Sequence, residues 1–183
     1  MNKHGKDWLV LATLFAVAVG SRLLKEWGHI SLPNLHAVSA AALFAGFYFS
    51  SRTMAAVVPL AAMMVSDAII GGHHPLVMVS VYACLLAPVC LSRWFRLDPS
   101  RPLAIAGASL SMSILFFVVT NFATWCTPMY AHTWHGLVRC YVAAVPFFAY
   151  TMLGDLLYCS TIFGVYQLVT RRSQQPSLAL TTG

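Results

Sequence analysis

Acidic residues are scarce in this chain: Asp and Glu number five among 183 residues, and all charged types together make up 9%. A soluble domain carries about 25% charged residues. With so few, the chain cannot coat a globule in polar surface, which excludes an ordinary soluble domain and makes a lipid bilayer its solvent. Chemistry-bearing motifs are missing too. There is no Walker A loop, no GxSxG and no GxGxxG, so ATP hydrolysis has no motif to rest on, and an enzyme would have to work with His and Asp alone. The expectation is therefore not an enzyme. No CxxC and no HExxH occurs, and the cysteine count of five is odd. That argues against a disulfide framework. Cys84, Cys90, Cys140 and Cys159 lie inside apolar runs and Cys126 at an edge, where they serve as small hydrophobes. Low-complexity tracts and a convincing internal repeat are both absent, which leaves an inverted-repeat transporter without support.

What the chain has in abundance is apolar sequence. Hydrophobic residues make up 59%, and the mean hydropathy is +0.74. A spanning helix needs about 20 mostly apolar residues. Apolar segments run from Trp8 to Leu24, His36 to Phe49, Thr53 to Gly71, Pro75 to Leu91 and Leu103 to Thr124. A further run from Leu137 to Val169 is too long for one simple span. Pro146 divides it into an interfacial or re-entrant piece at 137–145 and a sixth span at 147–169. Lys3 and Lys6 before an apolar run would suit a secretion signal cleaved near Phe15 to Ala18, but the run continues to Leu24 and reads better as a retained span.

Six spans put both termini on one side. That side holds Lys3, Lys6, Arg52, Arg93, Arg96, Arg101, Arg171 and Arg172; the other holds Arg22, Lys25 and Arg139. Eight against three satisfies the positive-inside rule with cytoplasmic termini. The pI near 9.3 is thus a topology signal, not a nucleic-acid one. Six of the seven histidines (His29, His36, His73, His74, His132, His135) fall on the outer side. The expected fold is all-α: a six-helix integral membrane bundle over residues 1–170 with a polar, disordered tail at 171–183.

Several constellations are candidates for function. Ala12, Ala16 and Gly20 recur every four residues, a spacing that lets another helix approach closely, inside the bundle or on a partner. Asp67 and Asp155 are intramembrane acids that need partners, and Arg22 and Arg139 are the outer cations available. The readings are a structural ion pair or contact with a ligand. His73 and His74 occupy an outer turn, and His132 and His135 an outer loop. Imidazoles there suit a transition metal, a haem or a polar ligand. Trp125, Tyr130, Trp134 and Tyr141 surround that loop, either as an interfacial belt or as the walls of an amphipathic pocket, with Asn121 as a hydrogen-bonding member.

Pro33-Asn34, Leu43-Phe44-Ala45-Gly46, Pro59-Leu60-Ala61 and Ser66-Asp67 resemble a small family of bacterial integral membrane proteins, as do Phe116 to Phe122, Trp125, Gly136-Leu137, Cys140-Tyr141, Pro146-Phe147-Phe148 and Gly154-Asp155-Leu156. That family looks like the substrate-binding S-components of energy-coupling-factor (ECF) vitamin transporters. The resemblance implies six helices with both ends cytoplasmic, an outward-facing pocket, and a first helix that docks on a shared transmembrane subunit driven by ATPases. Ala12, Ala16 and Gly20 would be the docking face, with Gly in place of the last Ala. It also implies a bound vitamin in place of an intrinsic cofactor. Cobalamin is the leading guess, with Cys84 or His73 as the cobalt ligand.

The expectation is an inner-membrane uptake subunit for a vitamin-sized molecule. Pocket walls come from 29–36, 67–74 and 121–141, and contacts from Asp67, His73, His74, Asn121, Trp125, Tyr130, Trp134, Arg139 and Asp155. The alternatives are a membrane metal or haem protein using His73, His74, His132 and His135, and a membrane scaffold without ligand.

Overall fold

The computed structural model describes residues 3–27, 35–71, 74–95 and 97–174. Its elements are α1 (Lys3–Trp27), α2 (Val38–Tyr48), α3 (Arg52–Ile70), α4 (Pro75–Phe95), α5 (Pro102–Trp125) and α6 (Trp134–Gln174), with no strand among the described residues. Four segments are long and apolar enough to cross a membrane: His4–Leu24, Arg52–Ile70, Pro102–Trp125 and Trp134–Arg171. The apolar stretch of α4, Pro75–Leu91, and the whole of α2 are shorter.

Helix α2 is the hub. It touches every other helix, and Val38, Ala40, Ala41, Ala42, Leu43, Phe44 and Ala45 are all buried. Between apolar helices in lipid there is little hydrophobic driving force, so close packing of small side chains does the work. The alanines of α2 supply that closeness. At its C-terminal end Phe44 meets Phe163 edge-on at 5.1 Å and Tyr166 at 5.4 Å, which ties α2 to the far half of α6. Consecutive helices run antiparallel. The Ala37 amide donates to Ser21 Oγ at 2.9 Å, joining the start of α2 to the end of α1. At the other end Tyr48 hydrogen-bonds Asp7 near the start of α1.

The turns follow local chemistry. Ser51 accepts from the Met54 amide and caps α3. Gly71 closes α3 at φ +96°, a conformation that a side chain disfavours, and its amide donates to the Asp67 carbonyl. His74 Nδ1 accepts from the Leu76 amide at 3.3 Å and opens α4. Between α4 and α5, Asp98 accepts from both the amide and the hydroxyl of Ser100, which holds its carboxyl below the usual range. Gly136 begins the descent of α6 so close to the loop before it that a Cβ would lie 2.0 Å from the Ala131 carbonyl oxygen.

One expectation needs correction. Residues 137–145 are neither a separate interfacial nor a re-entrant piece: α6 is a single 41-residue helix that passes through Pro146. A proline removes one backbone hydrogen bond, and within a membrane packing by a neighbouring helix offsets that loss. Here α5 packs along α6. Phe117 contacts both Tyr141 and Phe148, and the Tyr141 hydroxyl donates to the Val118 carbonyl at 2.7 Å.

Candidate functional site

Helix α2 begins well short of where its neighbours end, and a cavity of about 210 Å³ occupies that space. Its walls come from α1 (Arg22), the residue pair before α2 (His36), α3 (Met63, Asp67), α4 (Val77, Met78, Val81, Leu85) and α5 (Phe116, Thr120, Thr124). The volume holds about seven water molecules at about 30 Å³ each.

The polar corner of this cavity is an ion pair. Arg22 Nη2 lies 2.7 Å from Asp67 Oδ1, with side chains only 12% and 8% exposed. The second carboxylate oxygen accepts from the Tyr82 hydroxyl at 3.1 Å, and the guanidinium also touches the Met63 sulfur. Arg22 lies near the end of α1, and Asp67 one turn before the glycine that ends α3. Helix lengths therefore bring the two to the same depth. Both members of the pair line the cavity, beside the start of α2, whose amide dipoles favour a negative group.

A second cavity of about 380 Å³ lies on the other side of α5. Phe116, Thr120 and Thr124 line both, because residues at i, i+4 and i+8 form one ridge along the helix. Four phenylalanines dominate the second space (Phe116, Phe117, Phe147, Phe148). The hydroxyls of Thr120, Thr124 and Thr151 are spent on carbonyls one turn back.

The residues singled out from the sequence divide into three groups. Asp67 lines the first cavity, and of the two cations the sequence offered it, Arg22 and Arg139, its partner is Arg22. Asn121 lines the second cavity, with its amide nitrogen donating to the Phe117 carbonyl at 2.7 Å. The rest lie elsewhere. Trp125 is half-buried; its ring nitrogen donates to the Ala131 carbonyl and its face meets the edge of His132, so it holds the α5–α6 loop together. Trp134 is 78% exposed. Tyr130, His74, His132, His135 and Arg139 line neither cavity, and all but the half-buried Tyr130 are exposed. Arg139 forms no ion pair among the described residues. His73, like His29, lies outside the described residues.

Asp155 is buried away from both cavities, where the Ser113 hydroxyl donates to it at 2.6 Å. Cys84 is buried on α4 but lines neither cavity. Among the described residues no three His, Cys, Asp or Glu gather as metal ligands. All five cysteines are free thiols. On α1, Ala12 and Ala16 face outward while Leu14 and Ala18 face the bundle, so the small-residue stripe is a surface of the molecule rather than an internal seam.

Sequence reasoning missed Met63, Met78, Phe116 and Thr120 as cavity residues, while Thr124 fell within the expected 121–141 wall. A signal for Thr120 was present: it lies one helical turn before Thr124 in an otherwise apolar run.

A family described as of unknown function (DUF6580) matches residues 2–178, and the chain belongs to it. No curated protein and no solved structure matches the chain.

Proposed function

We propose that this member of a family of unknown function is the substrate-binding subunit of a membrane uptake system, similar in role to the S-components of ECF vitamin transporters. It crosses the bacterial inner membrane six times with both termini in the cytoplasm. The observation that carries the reading is the cavity above α2. It is walled by four other helices and bears a buried guanidinium–carboxylate pair and a histidine in a mostly apolar lining. Concave, largely apolar sites with a few placed polar groups are the usual form of small-molecule sites.

The basic residues support an outward opening. Lys6, Arg52, Arg101 and Arg171 lie at the helix ends remote from the cavity, whereas Arg22 lies at its wall. The exposed Ala12–Ala16 face of α1 is the surface available to a membrane partner carrying ATPases.

The cargo is a vitamin-sized molecule with an anionic or hydrogen-bonding group for Arg22 and Asp67 and an apolar ring for the Met and Phe walls. Cobalamin is the first cargo to test. A corrinoid is larger than the cavity at about 210 Å³, so its binding requires the helices around α2 to part.

The test is native mass spectrometry with an absorbance spectrum on protein purified in mild detergent, as isolated and after incubation with cobalamin, riboflavin or thiamin. A retained organic mass that Asp67→Asn weakens more than tenfold, roughly 1.4 kcal/mol or more, supports the reading. A clean apo mass in every arm and across growth media sinks it and favours a ligand-free membrane scaffold. A stoichiometric transition metal without an organic mass would instead favour the metal-protein alternative.

A further inference from the structure

We propose that Asp155, with Ser39, Ser109 and Ser113, forms a binding site for a small monovalent cation, a proton or a sodium ion, at the junction of α2, α5 and α6. The site is separate from the cavity above α2, and the inference does not depend on the uptake reading.

Asp155 is 4% exposed and sits midway along α6. Ser113 of α5 donates to it at 2.6 Å, and Ser39 of α2 also hydrogen-bonds it. Ser109, one turn before Ser113, is 2% exposed and lines the same narrow void; among the described residues its hydroxyl finds no oxygen or nitrogen partner and has only the Cys159 thiol beside it. Ala40, Leu43, Met112 and Cys159 complete the lining.

The balance of charge makes the argument. Around Asp155, α2 contributes Ser39, α5 contributes Ser109 to the void and Ser113 as a hydrogen-bond donor, and α6 contributes Cys159 one turn on. No Lys, Arg or His lines this void among the described residues. Arg22 is committed to Asp67, and Arg139 is exposed more than four turns away along α6. Hydroxyl dipoles solvate a carboxylate but do not neutralise it, and an ionised acid at membrane depth is costly without a positive partner. One positive charge must therefore come from outside the chain. Carboxylate and hydroxyl oxygens are hard donors, which suit a proton or a sodium ion and not a soft metal. The void has no room for a water molecule, so the ion sits there dehydrated. Occupied, the site ties α2 to the α5–α6 hairpin; emptied, it leaves a bare negative charge in the seam between them.

Thermal unfolding of the purified protein in detergent tests this. In the proton arm, Tm rises as pH falls from about 8 to about 5, equally in sodium and choline salts. In the sodium arm, Tm rises by about 5 °C over a roughly hundredfold increase in NaCl and not with choline chloride at equal ionic strength. Asp155→Asn keeps the size and most hydrogen bonds but needs no cation, so it should fold and lose whichever dependence the parent shows. A parent insensitive to both pH and sodium overturns the proposal, as does an Asp155→Asn protein that keeps the parent's response. Should Asp155→Asn fail to fold, Ser109→Ala decides: a weakened response supports the site, and an unchanged one overturns it.

Discussion

Two buried acids in this protein meet the same physical problem with different partners. Asp67 has a cation within 2.7 Å and a tyrosine hydroxyl on its other oxygen; Asp155 has serines. For Asp67, removing one member of the pair strands the other. Breaking a buried pair costs about 3–5 kcal/mol, whereas replacing both members with apolar groups is often close to neutral. Asp67→Leu and Arg22→Met should each lower stability by that amount. The double variant should recover most of it, a coupling read from a double-mutant thermal cycle in detergent. The double variant also separates the two roles of the pair, since it should fold yet lose the cargo that the uptake reading assigns to Asp67 and Arg22. The need for a partner was legible in the sequence and narrowed the choice to two outer cations, Arg22 and Arg139; the assignment to Arg22 was not, because depth along separate helices is set by their packing. The tyrosine was not legible, because Tyr82 lies in an apolar run on a third helix and nothing in its neighbourhood marks it as facing an acid. Trp125 and His132 show the reverse. Their residue types suggested a ligand wall, but a tryptophan ring nitrogen that can reach a loop carbonyl uses it.

At the scale of elements, the apolar runs located five helices to within five residues at either end, because lipid enforces long uncharged stretches bounded by Arg, Gly and Pro. The sixth run was divided at Pro146, since a proline in water-exposed sequence ends a helix. Here α5 lies alongside, and Phe117 and Val118 hold the segment from 141 to 148 in line. The sequence does not reveal which neighbour supports a proline; only the packing does. Spin labels placed at positions 139 and 171 should report a separation of about 48 Å in electron–electron distance measurements, from 32 rises of 1.5 Å. A break at Pro146 would bring them markedly closer. Among the other helices, α2 was read as short, but its role as hub was not, since its alternation of Ala and Phe carries no directional stripe.

For the whole molecule, the distribution of Lys and Arg and the antiparallel run of six helices describe one arrangement, with the first cavity at the end opposite the termini. Single cysteines at Ser51 and Ser100 should be modified by a membrane-impermeant maleimide only after the cell is opened. On the uptake reading, cysteines at Thr133 and His74 should react from outside intact cells. The reverse pattern would turn the cavity to the cytoplasm and remove the basis for uptake. The five native cysteines are free, so the measurement needs a background in which they are replaced. The cavity was legible only in part. Its Asp67 and His36 walls were placed from the sequence, but its α5 wall is the 116–124 ridge and not the aromatic loop that follows it.

The shortness of α2 also bears on the membrane voltage. Its 11 residues span about 16 Å, against about 30 Å of hydrocarbon. If the cavity opens to the outer solution, as the uptake reading proposes, the potential falls across roughly half the usual thickness, and the local field is about doubled. Moving one elementary charge through 100 mV is worth about 2.3 kcal/mol. An anionic group held at the cavity floor would feel nearly all of that force over the length of one three-turn helix, so an inside-negative membrane would oppose its inward movement and an energised partner would have to supply the difference.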